Sequence, residues 1–113
     1  MIAHNVYFTL KDDSAAARDT LLAACREHLT DHPGQVSFAC GALAEGFERP
    51  VNDREWGVGL HIVFADKAAH DTYQDSARHH TFVAECQPNW VRARVFDTEL
   101  ALGWNTLTPA LSG

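Results

Sequence analysis

The stretch WGVGLHIVFA, residues 56–65, is the clearest strand in the sequence. Large apolar side chains alternate with small or polar ones, which is the two-residue period of a β-strand. The large ones fall on one predicted face: Trp56, Val58, Leu60, Ile62 and Phe64. The other face carries Gly57, Gly59, His61 and Val63. Because the glycines allow another surface to approach closely, we expect this second face to be covered as well.

Strand and helix patterns alternate on both sides of this stretch. AHNVYFTLK (3–11) and QVSFACGAL (35–43) are predicted strands, and AAARDTLLAACREHL (15–29) between them has the apolar spacing of a helix. Asp66 is a candidate N-cap for the helical segment that follows, Ser76 can begin a second segment, and VRARVFDTEL (91–100) is the last predicted strand. The order β-α-β-β-α-β predicts an α+β, ferredoxin-like fold, in which two helices cover one face of a four-stranded antiparallel sheet.

The sheet face opposite the helices has no predicted cover within one chain. We assign to this open face Tyr7, His61, Val63, Ala93 and Val95. Several of these side chains are apolar, so we expect a homodimer in which the partner's sheet covers them. The domain is predicted to span residues 1–100. A C-terminal extension, 101–113, would follow it, with Trp104, Leu107 and Leu111 apolar enough to dock on a neighbour.

Composition limits the classes of partner. The chain has 113 residues, is 46% apolar, and carries a net charge of −6 with only 9 Lys and Arg. This acidic balance argues against nucleic acid and anionic membranes, and no apolar run approaches the roughly 20 residues that span a bilayer. Three widely spaced cysteines, Cys25, Cys40 and Cys86, favour buried free thiols and a cytoplasmic location.

The ordered set of segments resembles the stress-responsive A/B barrel (Dabb) family of dimeric α+β barrels. AHNVYFTLK looks like the opening strand with its histidine, and PGQVSFACG looks like the second strand with its glycine. VGLHIVFADKAAHDTY is similar to the third strand and following helix, and RVFDTEL to the closing strand. In YQDSARHHTFV, a tyrosine precedes a segment similar to the family's HPxHxxF, and the resemblance covers residues 2–100.

The resemblance implies a homodimer with a cavity between the sheet and the helices of each protomer. Some plant members cyclise linear polyketides by intramolecular aldol condensation, with polar groups that match His4, Tyr73 and His79 here. Ser76 and Ala77 stand where the family has the first histidine and the proline of HPxH. One polar group of the family's cavity is therefore replaced.

The candidate residues suit an aldol-type reaction, in which His79 is the general base and Tyr73 donates a hydrogen bond to the enolate oxygen. His4 or a backbone group would orient Tyr73. Tyr73 and His79 are six residues apart and would point in different directions on one straight helix. A break near Ser76 would bring them together. We expect the remaining cavity residues to be Val6, Phe8, Phe38, Leu60, Ile62, Ser76, Phe82 and Trp90.

These observations favour a dimer that binds an apolar small molecule, with polyketide-cyclase-like lyase activity as the leading hypothesis. A non-catalytic stress-response dimer that binds a ligand or a protein is one alternative. A cofactor-independent or haem-using monooxygenase is another, by analogy of fold. His80 should face solvent, and His28 and His32 should form a solvated helix end. No metal-binding spacing of the HExxH type is present, so we predict neither a metal site nor a cofactor.

Overall fold

The structure is a computed structural model and describes residues 1–103. Within this range the strands and helices follow the predicted order β-α-β-β-α-β, with the second helix divided into two segments. The elements are β1 (Ile2–Leu10), α1 (Ala15–His28), β2 (Gln35–Ala42), β3 (Val58–Phe64), α2 (Lys67–Gln74), α3 (Ala77–Cys86), a short 3₁₀ turn (Gln87–Asn89) and β4 (Trp90–Glu99). The sequence-based prediction of an α+β, ferredoxin-like fold is confirmed. The predicted docking of the C-terminal extension lies largely outside the described residues.

The sheet has the strand order β2-β3-β1-β4, and every neighbouring pair is antiparallel. Burial along β1 alternates as the sequence predicts, with His4, Val6, Phe8 and Leu10 buried on the face beneath the helices. The same face of β3 contributes Leu60, Ile62 and Phe64 to the core. β1 therefore lies inside the sheet, while β2 and β4 form its two edges.

Each of the three α-helices in residues 1–103 begins at a residue whose side chain caps it. Ser14 Oγ accepts a hydrogen bond from the Ala17 amide, and Asp66 does the same for Ala69. Ser76 Oγ accepts from the amide of His79 at the start of α3. Such caps satisfy backbone donors that have no partner within the helix. Ser76 thus ends the path of α2 and starts a new helix.

The turn that follows α1 requires a glycine at position 34. Gly34 has a φ of 78°, and a Cβ atom there would lie 2.4 Å from the Ala69 Cβ. The backbone conformation and this close approach to α2 both exclude larger side chains. The turn before β2 therefore packs directly against α2.

The two faces of β4 are the reverse of those predicted. Ala93 and Val95 pair with Phe8 and Val6, so they point to the helix side of the sheet and not to the open face. The open face instead carries Arg92, Arg94 and Phe96. The alternating arginines were the signal for this register, because charged side chains are costly to bury without a partner.

Trp56 was also assigned to the wrong face. β3 begins at Val58, and Trp56 lies before it, with its ring 5.0 Å from that of Tyr7 on the open face. The Trp56 indole N–H donates to the backbone carbonyl of Asp53 at 2.8 Å, which holds the ring in this position. The predicted period-two pattern failed here because the chain bends at Gly57, between Trp56 and the start of β3.

All three cysteines are free thiols, with Cys25 fully buried and the other two partly so. Burial raises the pKa of the Cys25 thiol well above its ordinary value and that of Cys86 to about 11. They therefore act as small apolar side chains between the helices and the sheet.

Candidate functional site

A cavity of about 330 Å³ lies between the β1–β4 half of the sheet and helices α2 and α3. Its volume is at the lower end of the range for small-molecule sites. The apolar part of its wall consists of Val6, Phe8, Leu60, Phe82, Val83, Trp90, Ala93 and Val95. The polar part consists of His4, His70, Tyr73, Gln74, His79 and Asp97. The site is therefore an apolar pocket in which a few polar groups converge.

Five of the eight predicted wall residues line this cavity: Val6, Phe8, Leu60, Phe82 and Trp90. The other three do not. Ile62 and Phe38 pair with each other across β3 and β2, and they pack in the core on the far side of β1 from β4. Ser76 has its hydroxyl engaged with backbone groups and lies outside the wall. The sequence alone did not show that the cavity covers only the β1–β4 half of the sheet.

The break at Ser76 brings Tyr73 and His79 together. Ser76 Oγ donates to the Tyr73 carbonyl at 2.7 Å and accepts from the His79 amide at 3.1 Å. The rings of Tyr73 and His79 then meet edge to face, with 4.9 Å between their centroids. On one continuous helix the two side chains would point about 120° apart. The serine therefore sets the relative position of the two candidate side chains.

His4 reaches the cavity from β1 and is 3% exposed. Its Nδ1 lies 2.5 Å from Asp97 Oδ1, across the β1–β4 pair. Burial lowers the pKa of His4, and the nearby Asp97 carboxylate opposes that shift without cancelling it. A mainly neutral imidazole that donates from Nδ1 to a carboxylate has a fixed orientation. Its centroid is 6.0 Å from that of Tyr73, so its polar partner is Asp97 rather than the tyrosine.

Besides His70 Nε2, two polar atoms of the cavity residues have no hydrogen-bond partner in the described part of the chain. They are His79 Nδ1 and Trp90 Nε1, and both are buried. Burial lowers the pKa of His79, with a smaller contribution from His80. Burial also raises the pKa of the Tyr73 hydroxyl, so that it stays protonated at neutral pH. Buried polar atoms without partners are costly, and a bound molecule can satisfy them.

Six residues of the cavity wall were not predicted to lie there: His70, Gln74, Val83, Ala93, Val95 and Asp97. His70 comes from α2, and its ring lies 4.8 Å from that of His4. Asp97 was predicted only as a possible ion-pair partner of Arg92 or Arg94, and not as a cavity residue, because the predicted faces of β4 were reversed. Arg92, Arg94 and Phe96 alternate along β4 and share one face, so Asp97 must lie on the other face. This alternation was the available signal for Asp97. His70 lies three residues before the buried Tyr73, so the two share one face of α2, and this spacing was the available signal for His70.

The prediction for His28 and His32 is wrong. His28 is 9% exposed and His32 is 7% exposed, so the helix end is buried and not solvated. His28 Nε2 lies 3.0 Å from Glu85 Oε2, while His32 Nε2 lies 2.7 Å from the carbonyl oxygen of His28. Helix α3 covers this end of α1, which the sequence did not reveal. His80, in contrast, is exposed as predicted.

Comparison with known proteins agrees with this architecture. The stress-responsive A/B barrel domain family matches residues 2–100, and the chain belongs to that family. No curated protein sequence matches the chain. Within the described residues, no helix is long and apolar enough to cross a membrane.

Solved structures share the fold over most of the chain. A Dabb family protein from Mesorhizobium loti is 28% identical, with a TM-score of 0.72 over 90% of this chain and 97% of its own. A dimeric ferredoxin-like protein of unknown function from Thermobifida fusca is 16% identical, with a TM-score of 0.71 over 88% and 90%. A hydroxynitrile lyase from Passiflora edulis is 16% identical, with a TM-score of 0.72 over 92% and 96%.

Proposed function

We propose that this member of the stress-responsive A/B barrel family binds a small, mostly apolar carbonyl compound and removes a proton next to its carbonyl group. The observation that carries the proposal is His79 Nδ1, a buried atom without a protein partner in residues 1–103, beside Tyr73 in an apolar cavity. The apolar wall favours an apolar substrate, and the few polar groups fix the orientation of its carbonyl group.

His79 has the properties of a general base. Burial lowers the pKa of its imidazole, which is therefore neutral near pH 7 and retains a lone pair. In the tautomer that carries its proton on Nε2, that lone pair lies on the unpartnered Nδ1. The backbone amide of His79 donates to Ser76 Oγ, which fixes the start of α3 from which this side chain extends.

Tyr73 and Trp90 can stabilise the enolate that forms. The raised pKa of Tyr73 keeps its hydroxyl a donor, and the indole N–H of Trp90 can only donate. A donor placed beforehand in a cavity with little water stabilises developing negative charge more strongly than water does. His4 contributes as a positioning residue, since its Nδ1 is bound to Asp97.

The proposed reaction balances without any further reagent. His79 takes the proton from the carbon next to one carbonyl, and that carbonyl becomes an enolate. The carbon then attacks a second carbonyl in the same molecule, a C–C bond forms, and the new alkoxide takes the proton back from the His79 imidazolium. The Passiflora lyase shows that the fold is compatible with lyase chemistry, although its likeness to this chain is one of fold alone.

We also propose that the protein works as a homodimer through the open sheet face. Tyr7, Trp56 and Phe96 form an aromatic cluster there, with ring centroids 5.0 Å and 6.0 Å from Tyr7. Phe96 is 51% exposed in the single chain. Exposed aromatic surface of this kind is typical of an interface, and the Thermobifida fusca protein of the same fold is described as dimeric.

Proton exchange tests the proposal without knowledge of the natural substrate. Acetophenone and longer alkyl aryl ketones would be incubated with the protein in D₂O containing EDTA, and loss of the signal of the protons next to the carbonyl followed by NMR. We expect exchange to be accelerated by the wild type and to fall by roughly 10²-fold or more in His79→Gln. His80→Gln, next to it but exposed, should exchange like the wild type.

The outcomes separate the alternatives. Acceleration that survives in His79→Gln would refute the role of His79. Ketone binding seen by saturation-transfer NMR, but with no exchange in the wild type, would refute the lyase proposal and favour the non-catalytic ligand-binding dimer. The monooxygenase alternative has only fold analogy behind it.

A further inference from the structure

Three side chains with metal-ligand chemistry meet at one end of the cavity. One donor atom from each of His4, His70 and Asp97 lies within 4.8 Å of the other two. They come from β1, α2 and β4, so only the packing of α2 on the β1–β4 half of the sheet brings them together. The position of His4 is further fixed by its burial and by its 2.5 Å contact with Asp97.

His70 is oriented in the way that metal-binding histidines usually are. Its Nδ1 lies 3.1 Å from Asp71 Oδ1, and the same carboxylate accepts a hydrogen bond from Lys67 Nζ at 2.6 Å. A carboxylate on Nδ1 holds the proton there and leaves the lone pair on Nε2. His70 Nε2 is buried and has no hydrogen-bond partner in the described part of the chain. The ring therefore carries a buried ligand atom that the protein itself does not use.

We propose that His4, His70 and Asp97 bind a divalent transition-metal ion of the zinc class. Two imidazole nitrogens and one carboxylate oxygen suit zinc and its neighbours, whereas magnesium and calcium take oxygen ligands. Three protein ligands leave one coordination position open on a tetrahedral ion. The three side chains line the cavity, so the open position would be next to it. Asp71 would be the outer carboxylate that fixes the orientation of His70.

The geometry needs small adjustments. Zinc bonds of roughly 2.0–2.1 Å at tetrahedral angles place donor atoms about 3.4 Å apart. The His4–Asp97 contact of 2.5 Å must therefore lengthen, and the widest separation of at most 4.8 Å must shorten by no more than roughly 1.4 Å. The Asp97 side chain is 45% exposed, so it can rotate at little cost, while His4 and His70 provide the more rigid pair.

This site does not depend on the proposed ketone chemistry. It requires only the three side chains, and the proton-exchange assay contains EDTA. Failure of one proposal therefore leaves the other standing. An ion bound here would also replace the His4–Asp97 hydrogen bond. The metal-free and the metal-bound protein would therefore give different spectroscopic signals.

Metal titration of the untagged, EDTA-treated full chain tests the inference. Zn²⁺ binding would be followed by calorimetry, and Co²⁺ binding by the visible absorption of a cobalt centre with nitrogen and oxygen ligands. We expect one ion per protomer. His70→Gln and Asp97→Asn should each weaken binding by more than 100-fold, and Asp71→Asn by roughly 10–100-fold, as expected for loss of an outer partner. His80→Gln is the matched control on an exposed histidine and should bind like the wild type.

Three results would overturn the inference. One is the absence of saturable binding of one ion per protomer in the wild type. Another is His70→Gln binding Co²⁺ as tightly as the wild type. The third is an equal loss in His80→Gln, which would indicate a surface site. The Asp97 side chain is 45% exposed, so Asp97→Asn can still test the inference if His70→Gln fails to fold, as judged by circular dichroism.

Discussion

Replacing Ser76 with alanine should change both stability and the candidate base, because this side chain makes two hydrogen bonds at the helix break. Its Oγ accepts from the His79 amide at 3.1 Å and donates to the Tyr73 carbonyl at 2.7 Å. Loss of an N-cap costs about 1 kcal/mol. Loss of the second bond costs about 0.5–1 kcal/mol, because the Tyr73 carbonyl still accepts from the Ser76 amide. We expect a total of roughly 1.5–2 kcal/mol.

Ser14→Ala is the matched control. Ser14 caps α1 through the Ala17 amide at 3.2 Å, but it is exposed and distant from the cavity. Its removal should cost about 0.5–1 kcal/mol. Ser76→Thr retains both hydrogen-bonding functions and should stay within a few tenths of a kcal/mol of the wild type. Urea unfolding, followed by tryptophan fluorescence at one fixed protomer concentration, measures all three differences.

A second measurement reports on the surroundings of His79. Without the cap, α2 and α3 can merge toward one helix, which would turn His79 away from Tyr73 and into water. The pKa of His79 should then rise toward 6.5 in Ser76→Ala and stay unchanged in Ser14→Ala, as measured by NMR titration of the imidazole proton. Equal losses of stability in the two alanine variants, with an unchanged His79 titration, would refute the argument that Ser76 maintains the break.

Two further predictions concern pH and assembly. Because burial lowers the folded-state pKa of His79, the unfolded chain binds its proton more readily, so this group should reduce stability as pH falls below about 6.5. The loss of stability between pH 7.5 and pH 5.5, measured by urea unfolding, should be smaller in His79→Gln than in the wild type. Equal losses of stability in the two proteins would contradict this prediction. Phe96→Asp should convert the dimer into a monomer in light scattering, since it places a charge in the aromatic cluster of the open face. Thr72→Asp, at an exposed position on α2 and away from the open face, is the control, and a Phe96→Asp dimer of unchanged affinity would contradict the proposed interface.

Much of the fold followed from local patterns. The alternation in β1 predicted its four buried residues, and the capping residues Asp66 and Ser76 predicted where α2 and α3 begin. The break that brings Tyr73 and His79 together was predicted as well, because a serine after QD is a local signal. These successes share a cause: each depends on contacts within one turn or one strand.

The misplaced residues depended on pairings between distant segments. Phe38 and Ile62 were assigned to the cavity because they belong to the apolar face of the sheet, but the helices leave a cavity over only half of that face. Ala93 and Val95 were assigned to the open face because β4 has apolar residues of both parities, and only its register with β1 decides between them. A shift of one residue in register moves every side chain to the other face.

The sequence by itself determined the order of the elements, the family resemblance over residues 2–100, and the presence of His4, Tyr73 and His79 as candidate groups. Only the tertiary structure placed Asp97 against His4, from 93 residues away, and His70 above them. Periodicity is a property of neighbouring residues, so it reports which side of its own element a side chain occupies. The burial of apolar surface over the whole chain decides which elements lie side by side, and the chemistry of this cavity depends on that packing.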